Sequence, residues 1–314
     1  MRCVAVLALV WVTTLTAVAS AAEPRVELVA AKQLLPGADA CEDTECSLQH
    51  AYREDPGARD VALSLWRATG DVAGVGPEET LDGGFRGTIM LVPQLPVKRY
   101  RKHLVWMASA TQALDRFFEQ LFPALQARPS YRWRALQLRF VRSRVGHRPS
   151  AYAIGWSVEY NLEGSLNTSP QSVRETLFHE LFHLNDDAHG DWSGLHLRAD
   201  YLRILRKCGA QPSSKCLAPY APNDTRVRGG TFYAFQQNNG DTVHEYAAEL
   251  AVRYFKEQSE MLASHRLGRP AFKCGPDENA RAWHSLVAEF FAGRDLVPPC
   301  RGRAADEAGA PSRG

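Results

Sequence analysis

Hydrophobic residues recur along the middle of the chain in two rhythms. Over residues 104–125, Val105, Ala108, Gln112, Phe117, Phe118, Leu121, Phe122 and Leu125 fall in a largely helical spacing, with Pro123 near the end. The spacing predicts one long helix. Residues 135–141 alternate apolar and polar, and residues 151–160 are rich in β-forming side chains. Residues 85–92 follow Gly83-Gly84 and stop at Pro93 and Pro96. Each of these three segments predicts a strand. At residue 170 the rhythm turns helical again: Ser169 suits the N-cap, Pro170 suits the first helical position, and the helix should reach about residue 184. Further helices are predicted over 195–206 and 242–262, separated by a cysteine-flanked loop to about residue 240.

The two ends read differently. Arg2 precedes an apolar run over residues 3–12, and small residues follow up to Ala19-Ser20-Ala21-Ala22, which together predict a secretory signal peptide at 1–22. That run is too short to span a bilayer comfortably, and no later segment is apolar enough, so no integral membrane segment is expected after its removal. Residues 301–314 hold only small, charged, Pro and Gly residues and predict a disordered tail. Residues 23–84 form an N-terminal region without a chemistry motif, and a catalytic domain is expected over 85–300.

Composition narrows the classes. With 45% hydrophobic and 23% charged residues in 314, a sizeable core is available. The 37 basic and 35 acidic side chains nearly balance, which gives no reason to expect nucleic acid or an anionic membrane as partner. Cys3 leaves with the signal, so six cysteines enter an oxidising compartment. Their spacing suggests local bridges, Cys41 to Cys46, Cys208 to Cys216 and Cys274 to Cys300, although many pairings are formally open. No C-x-x-C pair offers a cysteine-held zinc.

Chemistry concentrates at His179-Glu180-Leu181-Phe182-His183, an HExxH motif. Histidines four apart leave one side of a helix together and can share one metal. At about 100° per residue, Val173, Leu177, Leu181 and Leu184 take the opposite side, so the helix can bury one face and turn the other to a cleft. Glu180 then stands beside the metal as the base for metal-activated water. The bland reading is a helix with two hydrogen-bonded histidines and no ion. A catalytic zinc needs a third protein ligand, for which there are two candidates. Glu245, in Val243-His-Glu-Tyr-Ala-Ala-Glu249, lies on a predicted helix with Glu249 one turn later, where it can accept the free N–H of a ligand histidine. Ala247 and Ala248 would let two helices approach closely. Alternatively, His189 has the histidine spacing of HExxHxxGxxH, but Asp186 stands where that pattern wants Gly, and Met261 sits in a predicted helix, not a methionine turn.

His179-Glu180-Leu-Phe-His183 together with Glu245-Tyr-Ala-Ala-Glu249 resembles the gluzincin metallopeptidases, most closely the lethal-factor-like catalytic domains with their E-[FY]-x-A-E helix. The resemblance implies Zn2+ held by His179, His183 and Glu245, Glu180 as general base, and Glu249 supporting a ligand. It also implies an α+β zincin-like fold with a long helix, a small mixed sheet, an active-site helix and a Glu-bearing helix. The activity implied is that of a secreted endopeptidase acting on peptide or protein, and a monomer is expected. An oxyanion-steadying Tyr or His is implied too; Tyr233, in Thr231-Phe-Tyr-Ala234, is the first choice, with Tyr246, Tyr220 and His244 as rivals. Zincin-like proteins pair extended substrate with an exposed strand edge, a role open to residues 151–160. Asp186, Asp187 and Asp191 would suit calcium or simply form a solvated loop. From another class, the chain would be a secreted binding protein with a structural or vestigial zinc, a reading that gives Glu180 nothing to do.

Overall fold

The computed structural model describes residues 25–82, 87–124, 131, 135–145, 149–226, 230–236 and 242–300. Caps fix the first helices. α1 (Leu28–Leu34) leads to α2 (Thr44–Ala51), where Asp43 accepts from the Cys46 amide, and to α3 (Pro56–Thr69), where Asp55 accepts from the Ala58 amide. Gly70 closes α3 with φ 76°, a conformation that favours glycine.

β1 (Val72–Val75), β2 (Glu79–Asp82) and β3 (Thr88–Pro93) come next, then α4 (Arg101–Leu121), β4 (Gln137–Val145), β5 (Ala151–Ile154) and β6 (Ser157–Asn161). The mixed sheet runs β2-β3-β4-β6-β5, with β1 parallel to β4 beside β3. It curls enough for the Tyr152 hydroxyl on one edge strand to meet Glu79 on the other. The single strand predicted over 151–160 is therefore a hairpin. Gly155 and Trp156 carry φ of 55° and 60°, as a two-residue primed turn requires, and Trp156 is an unusual residue to find there.

The remaining elements are α5 (Pro170–Ala188), α6 (Trp192–His196), α7 (Arg198–Cys208), α8 (Ser214–Leu217), α9 (Thr242–Ser264) and α10 (Asp277–Phe290), with 3-10 turns at Ala218–Tyr220, Tyr233–Phe235 and Phe272–Cys274. One sheet face presents Leu138, Phe140, Val158 and Tyr160 to the main core, which the helices complete. The opposite face carries a smaller cluster of Ile89, Leu91 and Val141. In α4 the buried stripe runs Leu104, Met107, Thr111, Leu114, Phe118 and Leu121, whereas Val105, expected inside, is exposed.

Residues 25–82 are not set apart from the rest of the fold. Leu34, Leu48 and Leu65 belong to the same core as the later helices, and β1 pairs with β4. The predicted signal, the start of the strand at 85 and the tail at 301–314 lie outside the described residues. Cys41–Cys46, Cys208–Cys216 and Cys274–Cys300 are disulfides with Cα–Cα distances of 5.5, 5.7 and 5.3 Å. Among the described residues no helix is long and apolar enough to cross a membrane. The three disulfides fit a secreted or periplasmic protein.

Candidate metal centre

The site is made by two helices lying antiparallel. α5 starts where predicted, with Ser169 and Ser172 exchanging capping hydrogen bonds and Pro170 in the first turn, and it runs on to Ala188. It is held against α9 at one end by the Lys256–Glu175 ion pair at 2.9 Å and by Phe178 stacked on Phe255 at 4.7 Å between ring centroids. Phe117 of α4 meets Phe255 edge-on at 4.8 Å, so three helices share one aromatic layer. Ala248, one turn along α9 from Glu245, is small and fully buried. This arrangement brings the start of α9 over the second half of α5.

His179, His183 and Glu245 converge there. His179 Nε2 lies 3.1 Å from Glu245 Oε2 and 3.1 Å from His183 Nε2, and His183 Nε2 is 3.8 Å from Glu245 Oε2. Ligand atoms about 2.0–2.1 Å from a tetrahedral ion stand about 3.3 Å apart, so this triangle fits a zinc-sized ion. The chemistry of the donors agrees. His179 Nδ1 lies 3.4 Å from Glu249 Oε1; with its N–H turned to that carboxylate, Nε2 aims a lone pair at Glu245 and His183. Electron-rich atoms this close need a proton or a cation between them. The His/Glu group can hold a metal ion.

The site is less open than a helix with one solvent face would make it: His179 and Glu180 are only 8% and 6% exposed. Burial by itself would lower the His179 pKa, but hydrogen bonds to Glu245 and Glu249 outweigh it and raise it well above the usual histidine range. For Glu245 burial pulls upward, and His179 and His183 override it to hold the carboxyl well below its ordinary value. Glu180 goes the other way. Its burial raises the carboxyl pKa, opposed by His179 and His183 and reinforced by Glu245, and its side chain forms no hydrogen bond among the described residues.

The other sequence candidates separate clearly. The Tyr233 ring lies 5.9 Å from the His179 ring. Tyr246 is buried against Tyr201 and Phe235, Tyr220 lies beside Lys207, and His244 bonds Asp191 at 2.6 Å. His189 is not with the cluster: α5 ends at it, and it turns to Glu289 at 2.6 Å and packs on Phe290. A second group, Asp186, Asp191 and His244, is only half legible in sequence, since the aspartates share one short stretch but His244 is brought in by α9. Asp186 accepts from the Ser193 amide and hydroxyl at 2.7 and 2.5 Å, and Asp191 caps α6 from a left-handed conformation with φ 63°, so the group ties the α5–α6 turn to the start of α9. Asp187 is exposed and outside it.

At the sheet, β5 is the last strand in the order and packs beside α5. Comparison of the chain with protein-family models, with curated proteins and with solved structures finds no match.

Proposed function

We propose that the protein is a secreted zinc-dependent endopeptidase of zincin-like fold, in the gluzincin manner, with His179, His183 and Glu245 as ligands and Glu180 as general base. The observation that carries this reading is the convergence of two imidazoles and a carboxylate beside a buried, unbonded second carboxylate. A set of two histidines and one glutamate suits zinc and leaves a coordination position free. When bound, the ion supplies Lewis acidity, lowering the pKa of water and polarising a carbonyl.

The chain's own residues do the rest. Glu180, made more basic by its burial, takes the proton from the attacking water and returns it to the leaving amine. Glu249 keeps the His179 ring oriented with Nε2 facing the ligand triangle. Tyr233, next to His179, donates its hydroxyl to the developing oxyanion. The outer edge of β5, unpaired among the described strands, aligns an extended peptide by main-chain hydrogen bonds.

The test is a peptide-library digest with Glu180→Gln beside wild type, each analysed for bound zinc. Glu180→Gln is expected to keep one equivalent of zinc and to lose turnover by about 10²- to 10⁴-fold. Unchanged turnover removes Glu180 from the role of base, and a zinc-loaded wild type that cleaves nothing overturns the peptidase reading.

A further inference from the structure

Away from the metal cluster, α4, α5 and the second half of α9 border an open groove of 480 Å³. Its size falls within the range of small-molecule sites. The lining has two characters. Phe117, Phe255 and Leu262 give an apolar surface, while Arg116, Gln120 and Arg174 bring polar groups to it. A neighbouring cavity of 360 Å³ at the start of α5 shares Arg174, so this arginine stands between two open spaces.

Both arginines lack the partners that surface arginines usually find. Among the described residues neither guanidinium forms an ion pair, and Arg174 Nε is buried with no hydrogen-bond partner. The Arg174 guanidinium instead lies over the Phe255 ring, 5.9 Å from its centroid. Glu175, beside Arg174 on α5, is committed to Lys256 at 2.9 Å and Gln171 at 3.0 Å. Guanidinium is the side chain best shaped to grip a carboxylate.

We propose that this groove binds a small amphiphilic anion, with its alkyl chain on Phe117, Phe255 and Leu262 and its carboxylate between Arg116 and Arg174. The apolar surface alone would take any hydrocarbon, and the unpaired cations alone any anion; their shared cavity selects for both properties in one molecule.

Calorimetric titration of the mature, disulfide-bonded protein with decanoate tests this, with acetate and decyltrimethylammonium as the probes that lack the chain or reverse the charge. Decanoate is expected to bind with a Kd below about 100 µM, and both other probes at least about tenfold more weakly. Arg174→Gln and Arg116→Gln should each weaken decanoate by about tenfold or more. Arg116 is exposed, so its variant keeps the test valid even where Arg174→Gln fails to fold. Absence of decanoate binding at about 1 mM, equal binding of the cationic probe, or wild-type affinity in Arg116→Gln overturns the proposal.

Discussion

Glu249 offers a sharp test of whether the α5–α9 contact is built around a cation. Glu249→Ala removes the carboxylate 3.4 Å from His179 Nδ1, and alanine, the best helix former, should keep α9 intact. Loss of such a supporting partner costs about 10- to 100-fold in metal affinity. A separation of 3.4 Å is longer than a well-formed hydrogen bond, which places the expected loss in the lower half of that range, about 10- to 30-fold, or about 1.4–2.0 kcal/mol. Glu249→Gln keeps an acceptor without the charge and should fall between this and wild type. Glu245→Ala removes a ligand atom and should lose more than either. His189→Ala, whose ring is engaged with Glu289, should stay within about twofold. Zinc competition against a chromophoric chelator at one fixed pH measures all four, the pH being held because ligand protonation competes with the metal. Wild-type affinity in Glu249→Ala, or a larger loss in His189→Ala, refutes the reasoning.

Phe178 is fully buried between Phe255 and Tyr131, so Phe178→Ala should lower unfolding stability by about 3–5 kcal/mol in urea titration; a loss under about 1 kcal/mol would mean the aromatic layer is not what holds the helices together. Burial raises the Glu159 carboxyl to about 7, with Arg139 opposing and Glu79 adding. Its folded pKa exceeds its unfolded one, so the folded state holds the proton more tightly and stability falls as pH rises from the ordinary carboxyl range through about 7. Glu159→Gln should flatten that fall in melts across the range; an unchanged slope would assign it to other groups. Tyr233→Phe deletes only a hydroxyl and is expected to reduce kcat by about 10²- to 10³-fold with little change in KM, whereas an unaltered kcat excludes Tyr233 from oxyanion stabilisation.

The chain's local signals and its packing decided different things. Ser169 and Pro170 announced the start of α5, and the four-residue spacing of His179 and His183 put their rings together, because capping and helical periodicity act within a few residues. The three disulfides, too, join cysteines close in sequence. The Gly155-Trp156 turn was hidden because Trp156 resembles its strand neighbours and adopts a left-handed backbone only as the hairpin closes. The choice between Glu245 and His189 likewise belonged to tertiary structure. His189 is only six residues from His183, yet α5 ends at it and leaves it to α10, while Glu245 reaches the site because an aromatic layer and the Lys256–Glu175 ion pair hold α9 against α5. Residue types and spacing state which side chains are able to bind an ion; which of them meet depends on helix-on-helix packing, a long-range property of the whole core.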